Sequence, residues 1–204
     1  MLKALFGLCK RGNSCAKTPE EETERLRKVF LKSKYDIAHF PESHALYQFY
    51  SKYLVDHSND FANVVCRNQI MPKYIVETQE DNPILTIART LDNEGKIVYS
   101  GFAQSQLDTD DDATYTLHIL TICTIPGSSL GKAILDSLEL YIKSQVKLKF
   151  ITLNSIAESL EFYEKMGFEY DEQESDSEYL FPMTKTVGGY KKTTRRRLTK
   201  QKKT

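Results

Sequence analysis

The chain has 204 residues, with 28 Lys and Arg against 28 Asp and Glu, and 40% hydrophobic residues that include 12 Tyr and 10 Phe. That is the size of one domain with appendages, and it holds enough aromatic material for a core, which excludes a wholly disordered chain. No run approaches the ~20 apolar residues of a membrane-spanning helix, so no membrane partner is expected.

Cys9, Cys15, Cys66 and Cys123 form no C-x-x-C pair and have no His at metal-ligand spacing. Neither a disulfide scaffold nor a zinc site is therefore expected, and no metal is assigned. Lys10 and Arg11 interrupt the short apolar run that ends at Leu8, where a secretory leader would need to continue. The setting is read as reducing and intracellular, cytoplasmic or nuclear.

Zero net charge conceals an uneven distribution. Residues 188–204 hold eight Lys and Arg and no acid, so residues 1–187 hold 20 basic against 28 acidic residues, a body of −8 and a tail of +8. A tail this polar cannot bury enough surface to offset the entropy of ordering, and it is expected to be disordered. It reads as a localisation or solubilising tail, or as an arm for nucleic acid. The expected organisation is an N-terminal extension over 1–33, one domain over 34–187 and the basic tail over 188–204.

Within the extension, Lys17 to Lys28 is dense in charge and makes at best an exposed helix. Leu46, Phe49, Tyr50, Tyr53 and Leu54 recur at helical spacing after Ser43. Ile84 to Leu91 and Lys96 to Gln106 read as a hairpin about the turn Asp92–Gly95. Thr114 to Ile125 is β-branched and apolar on both faces at its centre, a central strand. Ser128 or Ser129 caps a helix with the stripe Leu130, Ile134, Leu138, Tyr141 and Ile142. A strand over Lys149 to Asn154 follows, then a capping box from Ser155 to Glu158 that starts a helix ending at Gly167, and a strand from Tyr179 to Met183. The order gives an α/β domain with a mixed sheet flanked by helices.

The turn Ile125–Ala133 joins the central strand to a helix whose first amides lack partners, and Gly127 and Gly131 leave room for phosphate oxygens. A nucleotide P-loop is excluded, since Pro126 stands where Gly is needed and Ala133 where Ser or Thr would hold Mg²⁺.

The segment Asn154-Ser155-Ile156-Ala157, then Phe162-Tyr163 and Gly167-Phe168, resembles the signature of the GNAT superfamily of N-acetyltransferases. The preceding turn is similar to that family's pyrophosphate loop at Gly131, but Pro126 replaces the usual Arg or Gln and Ser129 replaces the first Gly. The resemblance implies acetyl-CoA as donor and a primary amine, cationic by attraction to the acidic body, as acceptor. It implies that Gly127, Ser128, Ser129, Leu130, Gly131 and Lys132 hold the pyrophosphate, and that the strand edge at Ile122, Cys123 and Thr124 pairs with the pantetheine arm. Asn154 then bonds a pantetheine amide, or is simply a loop Asn beside a capping Ser. Tyr163 protonates the departing thiolate, or is a core tyrosine of its helix. His118 is the one candidate base in the central strand, or a packed strand histidine. Cys123 is expected to be a small buried hydrophobe and not a nucleophile. The alternative is a GNAT-shaped module without catalysis, with a nucleic-acid-binding tail, motivated by Pro126 and Ser129. In composition the tail also resembles those of proteins from large DNA viruses.

Overall fold

The computed structural model describes residues 16–80, 84–110, 113–170 and 179–188. Its elements are α1 (Pro19–Phe30), β1 (Tyr35–Pro41), α2 (Tyr47–Asp56), α3 (Ser58–Asp60) running on as a π-turn (Phe61–Val65), α4 (Pro72–Glu80), β2 (Ile84–Leu91), β3 (Ile97–Thr109) and β4 (Tyr115–Thr124). They continue with α5 (Leu130–Lys143), β5 (Leu148–Ser155), a 3₁₀ turn (Ala157–Ser159), α6 (Leu160–Lys165), β6 (Glu169–Tyr170) and β7 (Phe181–Thr186). The strands form one sheet in the order β1-β2-β3-β4-β5-β7-β6. Every neighbour is antiparallel except the β4–β5 pair. This is the expected α/β class with a mixed sheet between helices. Among the described residues no helix is long and apolar enough to cross a membrane. The tail beyond Gly188, Cys9 and Cys15, Asp111-Asp112 and the acidic run 171–178 lie outside the described residues.

The two faces of the sheet are covered by different helices. Phe40, Leu85, Ile87 and Phe102 pack with Leu54, Phe61 and Ile75 from the α2–α4 layer. Leu117, Ile119, Ile151 and Met183 pack with Leu138, Tyr141 and Ile142 of α5 and with Tyr163 of α6. The β2–β3 hairpin turns as its sequence directs, with the Asp92 carboxylate accepting from the amides of Glu94 and Lys96 at 2.9 and 2.8 Å. At Gly101 the sheet has no room for a side chain, since a Cβ there would meet the Cγ2 of Thr124 at 2.9 Å and the Cys123 carbonyl at 3.0 Å.

Several local expectations are corrected. Helix α1 is not wholly exposed, because Glu22 and Leu26 are buried. The Arg89 guanidinium, 1% exposed, donates to Asp36 at 2.6 Å, to the Tyr50 hydroxyl at 2.7 Å and pairs with Glu22 at 2.9 Å. Arg25 bridges both oxygens of Asp36 and both of Glu22. Two cations and two anions thus balance one another and tie α1 to β1, β2 and α2. Removing one member would strand a buried charge, at a typical cost of about 3–5 kcal/mol.

The capping box from Ser155 does not form. Ser155 is the last residue of β5, paired with Phe181, and its hydroxyl donates to the Ile156 carbonyl, so the helix begins only at Leu160 after the 3₁₀ turn. The central strand is not buried on both faces, since His118, Leu120, Ile122 and Thr124 are half-buried in alternation with buried neighbours. Cys123 is buried but is no free thiol: it is joined to Cys66 by a disulfide, across 57 residues of sequence. The expectation of cysteines outside any disulfide, one of the two grounds for the reducing setting, is corrected for this pair. By the loop-entropy model a closure of this length stabilises by roughly 4 kcal/mol.

His39 is fully buried, stacked on Tyr141 at 4.8 Å and hydrogen-bonded through its two nitrogens to Thr86 and Ser137. Burial lowers its pKa from 6.5 to about 3. The folded state therefore keeps it neutral where the unfolded state takes a proton, so its contribution is whole above pH 6.5 and is lost as pH falls toward 3, at up to about 1.4 kcal/mol per unit. His39→Gln, which keeps a polar partner for both hydroxyls, should show a shallower fall in urea midpoint between pH 7 and pH 4 than the parent. Parallel falls would contradict the assignment.

Candidate functional site

Halfway along its length, β4 separates from β5. Parallel pairing runs from Tyr115↔Leu148 to Ile119↔Leu153 and stops, while the opposite edge of β4 stays paired with β3 as far as Thr124. Between the two regimes β4 carries one extra residue. Ser105 pairs with Ile119 and Gln104 with Thr121, which makes Leu120 a β-bulge. The bulge exchanges the faces. Before it, Leu117 and Ile119 point to the α5 layer; after it, Cys123 points to the α2–α4 layer. Residues 121–124 therefore have strand pairing on one side only, and a cavity of about 540 Å³ opens against their free side.

Most of the residues singled out from sequence meet in this cavity. Ile122, Cys123 and Thr124 line it from β4, Gly127, Ser128, Ser129, Gly131 and Lys132 from the turn and first coil of α5, Asn154 from β5 and Tyr163 from α6. Leu130 lies behind the wall, buried, and anchors the start of α5 in the core. Cys123 offers backbone here, its sulfur being bound to Cys66, which also lines the cavity.

The turn is suited to an anion. Gly127 has φ +74°, a left-handed conformation that glycine adopts without strain. The Ser128 hydroxyl donates to the Ile125 carbonyl, and the Ser129 side chain at the N-cap makes no capping bond, so the first amides of α5 keep their donors for a ligand. A Cβ on Gly131 would lie 3.3 Å from the Phe162 ring and 3.8 Å from the Thr124 hydroxyl, so its absence keeps the floor of the turn open. Lys132 adds a cation at the rim, paired with Asp136. An unpaired strand edge leading into amides at a helix start fits an extended amide-bearing arm that ends in phosphates.

Tyr163 is 8% exposed, edge-on to Phe162 and Phe168 at 5.0 and 5.7 Å between centroids. Its burial pushes the phenol up to about 12, so it holds its proton through the physiological range. Its hydroxyl makes no hydrogen bond to a described residue. The ring packs in the core, as the structural reading expects, and the residue also lines the cavity.

His118 is not in that cavity. It lines a second one of about 480 Å³ together with Thr116, Phe150, Thr152 and Thr184. Its Nε2 lies 3.2 Å from the Asp108 carboxylate and its Nδ1 2.7 Å from the Thr152 hydroxyl. Five residues, Tyr74, Ile119, Leu120, Leu153 and Asn154, border both cavities, so the two meet at the bulge. Tyr74 and Thr152 were not singled out from sequence. Pro72 at the first position of α4 was the signal that could have located Tyr74 on a helix.

Residues 50–187 match the model of the acetyltransferase (GNAT) domain. No curated protein matches the chain. Among solved structures the fold is similar to Naa50 of Arabidopsis thaliana in complex with the bisubstrate analogue CoA-Ac-MVNAL, at 14% identity over 75% of this chain and 99% of that one, TM-score 0.51. It is also similar to the catalytic domain of the Tetrahymena GCN5 histone acetyltransferase in complex with coenzyme A, at 13% identity over 78% and 97% of the two chains, TM-score 0.50.

Gly131→Asp places a carboxylate beside the turn and should abolish CoA binding measured by calorimetry, whereas Gly131→Ala, meeting only the movable end of the Phe162 ring, should weaken it far less. Unchanged affinity in a folded Gly131→Asp protein would remove the anion-site assignment.

Proposed function

Since the chain belongs to the GNAT acetyltransferase family, we propose that it transfers the acetyl group of acetyl-CoA to a primary amine by direct attack, with donor and acceptor bound in the two cavities that meet at Leu120. The observation that carries this reading is the junction itself: the free edge of β4 and the turn before α5 lead to the same five residues that border the cavity of His118. The amides of Gly127 to Gly131 hold the pyrophosphate, the edge at Ile122 to Thr124 pairs with the pantetheine arm, and Asn154 bonds its amide. Pro126 and Ser129 do not empty the turn of donors, because the anion is held by backbone. That favours a working enzyme over an inert module. The net charge of −8 on residues 1–187 favours a cationic acceptor, since summed negative potential raises its local concentration.

The chain's own residues then divide the proton work. An incoming ammonium must lose a proton before its nitrogen can attack the thioester carbon. With Nε2–H donated to Asp108, the Nδ1 of His118 accepts from Thr152, and the proton reaches Nδ1 through the Thr152 hydroxyl, which faces the second cavity. Asp108 stabilises the imidazolium so formed. As the C–N bond forms and the C–S bond breaks, the Tyr163 proton moves to sulfur, and the second proton shed by the nitrogen as it becomes an amide returns through water to the phenolate. Burial makes this phenol a weaker acid, but the same desolvation disfavours the thiolate, so the transfer stays matched.

Tyr163→Phe should keep CoA affinity and lower kcat by about 10²–10⁴-fold, the usual range for a general acid. His118→Gln should lower kcat with the acetyl-CoA KM unchanged, and a kcat equal to that of the parent would remove the base role from His118. Turnover equal to that of the parent in Tyr163→Phe at every pH would return that side chain to a packing role.

A further inference from the structure

We propose that Tyr74 positions the acceptor amine, its phenolic oxygen taking a hydrogen bond from the attacking nitrogen at the junction of the two cavities. The inference rests on the acetyl transfer proposed above and adds the residue that aims the acceptor.

Tyr74 borders both cavities, is 42% exposed, and its hydroxyl donates to the carbonyl of Leu120 at 3.2 Å. Leu120 is the bulge at which β4 leaves β5. A hydroxyl has one proton and two lone pairs; with the proton committed to a backbone carbonyl, the oxygen is left as an acceptor. A nitrogen bound through one N–H to this oxygen keeps its lone pair free for attack. The exposed ring face also suits an approaching ammonium.

Such a role requires a fixed phenol, and the surrounding structure fixes it from two sides. Gln104 on β3, fully buried, donates to the Ile75 carbonyl at 2.9 Å and to Gln79 at 3.1 Å, while the Thr78 hydroxyl lies 3.1 Å from the Gln104 side-chain oxygen and donates to the Tyr74 carbonyl itself. Gln79 in turn donates to the Tyr47 hydroxyl at 3.0 Å. This network does no chemistry. It holds the first coil of α4 against the sheet. On the other side, the Cys66–Cys123 disulfide binds the segment leading into α4 to β4, three residues beyond the bulge. Arg67 and Asn68, directly after Cys66, have φ of 51° and 60°, a left-handed pair of non-glycine residues that only a well-determined turn maintains.

The test is steady-state kinetics of the full chain with acetyl-CoA and each of three amines, spermidine, a lysine-containing peptide and a peptide with a free N-terminus. Loss of one hydrogen bond in Tyr74→Phe should raise the acceptor KM about 3- to 10-fold for the amine best used, with the acetyl-CoA KM unchanged. Tyr74→Ala should raise it further, and urea midpoints check that both variants fold. A phenol that only braces the strand would instead raise the acetyl-CoA KM, because the bulge carbonyl lies at the start of the free edge; that result, or an unchanged acceptor KM, overturns this inference alone. Absence of transfer by the parent chain to all three amines overturns the proposed function and this inference with it.

Discussion

One inserted residue organises this molecule. Pairing of β4 with β5 ends at Ile119↔Leu153, and the next residue, Leu120, is the bulge. With it, the face of the strand reverses and its edge comes free at once. The first effect turns Cys123 toward the α2–α4 layer while leaving Leu117 and Ile119 in the core under α5. The second supplies unpaired backbone beside the turn that opens α5. Backbone groups left without partners are costly unless a ligand or water satisfies them, so a free strand edge in a cleft is a binding surface by construction.

The rest of the fold keeps that separation rigid. Helix α5 packs across the sheet with Ile134, Leu138 and Ile142 fully buried, which fixes its first coil against the end of β4. On the opposite face, Gln104 and the disulfide anchor α4. Farther out, the Arg89–Asp36–Glu22–Arg25 group binds α1 to the sheet through neutralised, fully bonded charges. A buried group of this kind adds little net stability beside an apolar equivalent, yet it tolerates few other arrangements of the same elements.

What was legible in the sequence followed from local signals. Asp92 and Gly95 mark the hairpin, the stripe from Leu130 to Ile142 marks α5, and the residues proposed for the donor lie close along two segments, so their motif stands out in the chain. Strand β1 was missed because it places Asp36 and His39 in buried positions, where their polarity hides the strand pattern. The capping box misled because Ser155 fits a helix start locally, while pairing with Phe181 holds it in β5. The bulge leaves no mark in a run of β-branched residues. The disulfide and the proposed acceptor side are tertiary in origin: Cys66 meets Cys123, and Tyr74, His118 and Thr152 come to one cavity, only once α4, β4 and β5 are packed.

Amide hydrogen exchange with and without CoA tests the central claim most directly, because it reads backbone partners residue by residue. The account predicts new protection on binding at amides within 121–124 and in the first coil of α5, with β5 beyond Leu153 changing little. CoA binding that leaves the β4 edge unprotected, and protects another strand edge or none, would contradict it.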